Sequence, residues 1–483
     1  MHVTCGVAGI LFPLLAGLWL CFPVVPAQGR DAASRPPVSL SDAPRNFRST
    51  VPQAFPAAPV TMPQAVQMAI RRNPSLGAGE AQSRASEEGR KAARGAFGPR
   101  LGMSYTAIKQ ERKTAPVSAR PPELGTYSLG IEISQPVFRG FRLLASYQKA
   151  ALQAESDKAS LRNAELAMTE QVQTAFLRYL SAVENVASEK EALARLKEQL
   201  EITTAYYEVG LRPRLDILQA EVDVSEAESG LIRMETIRDT SLAQLNTLLG
   251  FSPATQGVYS GKLAHVPFDR SLEQCLEAAY RQRPDLYVAA KAVEIAGKDR
   301  RIAQSGYYPQ IEAYYNITNT GNTPDLKKSG DGGSRGTTWE VGGRVTWEIF
   351  QWGTTYYADK QAGWLVTKMR QEEDRLKLDA GYDIKSKLLA LREAEKRIKV
   401  AERGVSMARE AYEAALASYR EQVGTNFDVL DASSKLVAAQ AALTGAKADY
   451  LTALSQMYVS MGEYHPDLFH VDAGAGRRAR KAR

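Results

Sequence analysis

Two periodicities alternate along this chain. From Ile398 the apolar positions step by three and four: Ile398, Ala401, Val405, Ala408, Tyr412, Ala415 and Tyr419, then Leu436, Ala439, Leu443, Ala446, Tyr450, Ala453 and Met457. That spacing puts each set on one stripe of a helix and predicts a coiled-coil seam, with alanines that let neighbouring helices approach closely. Upstream the period drops to two. In Thr338 to Phe350, Trp339, Val341, Val345, Trp347 and Ile349 share one face, while Glu340, Arg344, Thr346 and Glu348 share the other. A weaker alternation joins Ile311, Ala313, Tyr315 and Ile317. Leu101, Met103, Tyr105 and Ala107, and Tyr127, Leu129, Ile131 and Ile133, repeat both rows in the first half. Four strands are predicted, at about 101–113, 125–138, 310–320 and 337–350, paired as two hairpins. Their loops, Thr114 to Glu123 and Asn322 to Gly336, are polar and rich in Pro or Gly.

The chain is duplicated, which has to be settled before any fold is assigned. Asn73-Pro74 corresponds to Arg283-Pro284 and Pro99 to Pro309, each 210 residues on; Phe138 corresponds to Phe350 and Leu249-Gly250 to Met461-Gly462, each 212 residues on. The offset changes only between Pro99 and Phe138, so the length difference falls in one loop-bearing region. Each repeat reads helix, two strands, very long helix, turn, long helix. Pro74 and Pro284 suit the first position of a new helix. From about Leu143 to Tyr207 there is neither Pro nor Gly, which at ~1.5 Å per residue allows roughly 100 Å of continuous helix. Between the long helices lie two matching turns, YEVGLRPRLDILQA (Tyr207 to Ala220) and YREQVGTNFDVLDA (Tyr419 to Ala432). Gly210 and Pro213 are expected to break the first, and Gly424, Thr425 and Asn426 the second. The divisions that follow are a signal segment at 1–27, a Pro/Ala-rich leader at 28–60, a first repeat at 61–250, a linker at 251–269, a second repeat at 270–463 and a basic tail at 464–483.

Alternation alone fits a small half-buried sheet in a soluble domain. The spacing of Trp339 and Trp347 points elsewhere. Eight residues of strand span ~27 Å before tilt, close to the ~25 Å apolar band that aromatic girdles flank in outer-membrane barrels. Four strands cannot close a barrel, and lipid does not tolerate open edges. Strands that enter a membrane would therefore need more than one copy of the chain: eight strands from two copies, twelve from three.

Composition removes several function classes. The apolar stretch at residues 6–25 followed by Val25-Pro26-Ala27 has the form of a secretory signal; processing at Cys21 is the alternative, with Leu20 large for that site. After cleavage at Ala27 one cysteine, Cys275, remains, so neither a disulfide framework nor a thiolate metal cluster is expected. The net charge of +7 owes five charges to the last seven residues, so the body is nearly neutral and nucleic-acid binding is not indicated. The histidines are scattered and form no HxxxH. The Gly330 to Gly336 run lacks the Gly-Lys-Ser/Thr end of a phosphate loop, and there is no GxSxG, so no catalytic constellation and no cofactor are expected.

With the repeats, strands and turns in hand, residues 61–463 resemble the TolC-type outer-membrane efflux protein family, the outer membrane factors of tripartite efflux and type I secretion. The resemblance rests on QPVFRG (Gln135 to Gly140), WEIFQWG (Trp347 to Gly353) and both tip turns. It implies a mainly α fold with a small β part: a long α-helical coiled-coil barrel in the periplasm, and four strands per chain in a trimeric twelve-stranded barrel in the outer-membrane lipid. It also implies a periplasmic adaptor (membrane fusion) protein at the tips, and an inner-membrane transporter reached through that adaptor. Carried onto this sequence, Asp428 and Asp431 match acidic positions lining the periplasmic entrance, and Asp216 and Tyr419 match the acidic and aromatic positions of its constriction. Val209, Gly210, Leu211, Val423, Gly424 and Thr425 fall in the adaptor-contacting tips, and Tyr127, Trp339 and Trp347 become interface aromatics. Gly424 departs from the pattern, since some members carry an arginine there that bonds across the closed entrance. Asp216 and Asp428 also fit a plainer reading, because a carboxylate is favoured in the first turn of any helix. A periplasmic coiled-coil spacer is the alternative to a channel; a hydrolase would need a nucleophile and base that the sequence does not show.

Overall fold

The computed structural model describes residues 55–56, 58–111, 123–321, 323–326 and 336–464. The predicted signal segment, nearly all of the leader and of the basic tail, and most of the two hairpin loops lie outside them. The elements appear in the same order twice. The first set is α1 (Met62–Arg72), α2 (Pro74–Gly95), β1 (Arg100–Glu111), β2 (Glu123–Arg139), α3 (Arg142–Glu208) and α4 (Arg214–Leu248). The second is α5 (Leu272–Gln282), α6 (Pro284–Gln304) with a 3-10 turn (Ser305–Tyr307), β3 (Gln310–Gly321), β4 (Thr337–Thr346), α7 (Thr354–Arg420) and α8 (Asn426–Ser460).

Equivalent residues do equivalent work. Gln64 returns its side chain to the Thr61 N–H and Gln274 to the Ser271 N–H, each at 3.0 Å, so α1 and α5 start alike. Asn73 and Arg283 sit in extended backbone between the short helices, as a residue before proline should. Each then holds the end of its own repeat's last helix. Asn73 Nδ2 donates to the Leu248 carbonyl at 2.9 Å, and Arg283 Nη1 to the Ser460 carbonyl at 3.4 Å. Arg283 also pairs with Asp285 (2.7 Å) and Asp383 (3.0 Å). Beyond those carbonyls, Gly250 and Gly462 take φ +76° and close the helices against Arg72 and Gln282. Around this junction lies the main core, where Phe176, Leu245, Leu249, Leu454, Met457 and Met461 are all buried. The linker between repeats wraps it. Val60 pairs with Tyr259 in a single parallel bridge, and the Tyr259 hydroxyl donates to Asn246 at 2.6 Å.

The four strands form one antiparallel sheet in the order β1-β2-β3-β4. Its register places the four apolar rows of the sequence side by side: Met103, Ile131, Ile317 and Trp339 lie across one row, Leu101, Ile133, Tyr315 and Val341 across another. That face is unprotected, with Trp339, Val341 and Val345 each about two-thirds exposed (68%, 67% and 66%). The opposite face is polar: Arg139 pairs with Glu312 at 3.0 Å, the Tyr314 hydroxyl donates to Glu340 at 2.6 Å, and Arg344 lies over the Tyr314 ring. One expectation fails. β4 ends at Thr346, not Phe350, because its partner β3 begins at Gln310, paired with Thr346, and the preceding Pro309 has no N–H to extend the ladder. Trp347 leaves the sheet, and its indole N–H donates to the Tyr307 carbonyl at 3.3 Å.

Each hairpin passes to its long helix through two consecutive residues with positive φ, Gly140-Phe141 and Trp352-Gly353. α3 and α7 are 67 residues each, and α4 and α8 are 35 each. α3 contains neither Gly nor Pro, whereas α7 carries Gly363, Gly381 and Gly404. Every residue of the predicted seam is buried or half-buried. α4 buries only Ala220, Leu245 and Asn246, leaving Leu218, Val222 and Ile232 exposed; Tyr382, Val400 and Met407 on α7 are exposed too. A Cβ at position 250 would sit 3.2 Å from the Arg72 carbonyl oxygen, and one at 462 only 2.7 Å from that of Gln282. Gly250→Ala is therefore expected to cost about 1–2 kcal/mol, the left-handed penalty of a side chain. Gly462→Ala should cost more, because the collision is added. Denaturant melts of the two variants in detergent check the order.

Candidate functional site at the helical tips

The two tips turn by the same device with different residues. At the first, Gly210 takes φ +80° and the N–H of Leu211 reaches back to the Tyr206 carbonyl at 2.8 Å. At the second, the left-handed position is Gln422 (φ +62°), and the N–H groups of Val423 and Gly424 both reach the Ser418 carbonyl at 3.0 Å. Gln422 is the repeat equivalent of Gly210, so the second helix is stopped there and not at Gly424, as the sequence reading had it. A glycine stands out as a helix breaker, whereas a glutamine in the left-handed region does not. Gly424 matters for space: a Cβ there would lie 3.1 Å from that of Ser418. The second limbs start differently too. α4 starts after Pro213, while α8 starts on a capping box in which Asp428 accepts from the Thr425 N–H (3.0 Å) and hydroxyl (2.6 Å).

A polar network joins the tips. Tyr419 is wholly buried, its hydroxyl 3.2 Å from Thr203 Oγ1 and its ring packed on Tyr206; the repeat-equivalent Tyr207 is 43% exposed. Burial pushes the Tyr419 phenol above its ordinary value, so it stays a neutral hydroxyl. Asn426, also buried, accepts from Gln199 Nε2 at 2.9 Å and donates to the Asp216 carbonyl at 3.2 Å. Arg212 spans the tips: its Nη2 donates to the Gly424 carbonyl at 2.8 Å, and its guanidinium lies 4.9 Å from the centre of the Tyr419 ring. Asp216 is half-buried in the first turn of α4, Asp428 is exposed, and Asp431 pairs with Lys435 at 2.6 Å. Val209, Leu211 and Val423 are exposed at the tips. Arg212, Gln199 and Thr203 have no sequence signal beyond an Arg in the first tip opposite a Gly at the same repeat position, and Asn426, expected to break the second helix, is instead the first residue of α8.

Above the network a groove of about 500 Å³ opens between α4 and α8, lined by Leu215, Leu218, Val222, Phe427, Leu430 and Asp431. It continues past Asp223 into a second hollow of about 370 Å³, floored by Glu189, Ala192 and Leu196 of α3. Burial raises the carboxyls of Glu189 and Asp223 above the usual carboxylate range; Glu226 adds to the effect at Asp223. Among the described residues no helix is long and apolar enough to cross a membrane, and no group of three or more His, Cys, Asp or Glu could hold a metal ion.

Residues 65–251 and 275–463 match the outer membrane efflux protein family. This chain belongs to that family. The matched segments coincide with the two structural repeats. The outer membrane efflux protein BepC of Brucella suis biovar 1 is 25% identical over 407 residues, covering 84% of this chain and 86% of BepC. The outer membrane protein TolC of Vibrio cholerae is 26% identical over 367 residues, covering 73% and 81%. Among solved structures, the CmeC outer membrane channel of Campylobacter jejuni superposes with a TM-score of 0.74 at 16% identity, covering 87% of this chain and 88% of CmeC. VceC of Vibrio cholerae gives 0.70 at 18%, covering 83% and 96%. This efflux protein is accordingly an outer-membrane channel protein, and the periplasmic spacer reading is set aside.

In this efflux protein the Thr425 hydrogen bonds, side chain and then backbone, hold the Asp428 carboxyl below the usual carboxylate range. A depressed carboxylate contributes above its unfolded pKa and loses that contribution as pH falls through the folded value. Hydrogen exchange in the first turn of α8 is therefore expected to be pH-independent above the ordinary carboxylate range and to quicken below it. In Asp428→Asn, amide exchange corrected for its intrinsic pH dependence should show no such step.

Proposed function

We propose that three copies of this chain close a twelve-stranded barrel in the outer-membrane lipid and continue it as an α-helical tunnel whose tips form the periplasmic entrance. The observation that carries the reading is the sheet: an apolar outer face, a polar inner face, and two edge strands, β1 and β4, left without partners among the described residues. Backbone groups at such edges cannot stay unpaired in lipid. Trimer closure pairs β4 of one copy with β1 of the next, and it covers the exposed apolar residues of α4 and α7 in the same step. Trp339, Trp347 and Tyr127 then sit at the membrane interfaces, with the hairpin loops outside the cell.

The tips meet a periplasmic adaptor protein through Val209, Gly210, Leu211, Val423, Gly424 and Thr425, and the adaptor links the channel to an inner-membrane transporter. Relatives carry names of two kinds, antibiotic efflux and alkaline protease secretion, so the choice of cargo is assigned to pump and adaptor. The channel contributes charge. Three copies of Asp428, held ionised by their caps, and three of Asp431 ring the entrance, and carboxylate rings select cations. Asp216 and Tyr419 belong to the constriction just inside.

Native mass measurement of detergent-extracted protein tests the assembly: a trimer is expected, and a monomer that needs no detergent would sink the reading. Planar-bilayer recordings test the ring. Replacing Asp428 and Asp431 together by Asn should lower the cation preference, and Lys435→Gln should raise it by freeing Asp431 of its partner. Both effects should be largest at low salt, since screening acts over about 8 Å at physiological strength. Unchanged selectivity would leave these carboxylates as helix-start residues only.

A further inference from the structure

We propose that the collar of helix ends next to the sheet binds anionic phospholipid headgroups of the membrane leaflet that faces the periplasm, with Trp352 seated among them. The inference rests on the membrane reading above.

Four helix ends meet the sheet: α2 and α6 finish there, and α3 and α7 begin there. The ten residues of each that lie nearest the sheet, about 15 Å of helix, hold nine basic and four acidic side chains. That excess is local, because the chain without its tail is nearly neutral. All four acids are already taken. Glu87 pairs with Arg90 at 2.5 Å, Glu88 with Lys91 at 2.7 Å, Asp299 with Lys149 at 2.6 Å and Asp359 with Arg300 at 2.8 Å. Arg94, Arg142, Lys298, Arg301 and Lys360 are left over. Among the described residues none of these five forms an ion pair, and all but the half-buried Lys298 are exposed. The helix dipole favours Arg94 and Arg301, each in the last turn of its helix. It disfavours Arg142, the first residue of α3, so helix stability does not explain the set.

Exposed aromatic side chains stand beside these charges. Trp352 is 88% exposed, Phe350 71% and Tyr357 69%. Trp352 is also held at φ +49°, in the left-handed region, which is costly for any side chain. Its repeat equivalent is Gly140, likewise left-handed, where a Cβ would lie 2.5 Å from the Ser305 carbonyl oxygen. The second repeat thus places an indole where the first has glycine, bears the backbone strain, and gains no burial for the ring within the chain. An environment outside the chain accounts for such a ring, and the headgroup layer is the one that Trp and Tyr favour. A phospholipid meets both needs. Its phosphate accepts hydrogen bonds from the guanidinium and ammonium groups, and its glycerol and upper acyl region lie against the rings. A zwitterionic headgroup brings a cation of its own, which the unpaired charges repel, so the collar prefers a headgroup of net negative charge.

Native mass spectrometry of the full-length protein, released from nanodiscs of equal parts phosphatidylglycerol and phosphatidylcholine, tests the collar. Each basic residue at a bilayer surface strengthens attraction to anionic lipid about fivefold, so the unmodified trimer should retain phosphatidylglycerol over phosphatidylcholine by about tenfold or more. Replacing Arg94, Arg142, Arg301 and Lys360 together by Gln should bring that ratio near one with the trimer mass unchanged. Arg142→Gln alone should lower it about fivefold, and it carries the test if the fourfold variant does not assemble. Trp352→Gly relieves the left-handed strain, so it should raise the melting temperature in detergent while lowering the retention of both lipids alike; unchanged retention there removes Trp352 from the site. Equal retention of the two lipids by the unmodified protein overturns the collar and leaves the channel standing. A fourfold variant that alters ion selectivity in planar bilayers but keeps its lipid ratio does the same, since it places the charges in the conduit. An unmodified protein that forms no trimer and enters no bilayer overturns both.

Discussion

Both arms of this chain hang from the band where the returning helices end. α4 and α8 finish against the breaks between the paired short helices, and a side chain at each break, Asn73 or Arg283, takes up a carbonyl that the helix end leaves unpaired. Leu249 and Met461 are buried there, and the glycine after each turns the chain away where a larger residue would strike backbone. At Asp285, burial favours the neutral acid, yet the Arg283 hydrogen bond and charge hold its carboxyl below the usual range. Among the described residues, the main apolar cluster gathers here. The sheet and the tips extend from it with one face or one limb uncovered.

The periodic parts of this architecture were legible because each apolar row repeats many times. The seam from Ile398 to Tyr419 and the four strand rows needed no knowledge of neighbours, and the sheet aligns those rows in register. What escaped the sequence reading depends on a single residue meeting something far along the chain. The end of β4 is set by Pro309, the residue just before the strand's partner begins. The left-handed residue at the second tip is a glutamine, whose conformation no composition rule announces. The tip network joins Gln199 and Thr203 to residues more than two hundred positions away, in a geometry that only the packed helices supply.

The two repeats agree in their scaffold and differ at their tips. Capping, helix breaks and left-handed turns recur at matching positions, but Tyr419 is buried while Tyr207 is exposed, and α8 opens on a hydrogen-bonded cap where α4 opens after a proline. Local departures from a shared plan are where function is expected to reside. Here they gather at one end of the helices.

The glycine content of the two long helices makes them unequal mechanical members. Glycine in a helix interior costs about 1 kcal/mol relative to alanine, and sharp bends concentrate at such weak points. α3, with none, is a stiff strut; α7, with three spread along its length, is the compliant one. A load applied at the tips would bend the second before the first, so compliance is set along the shaft as well as at the turns.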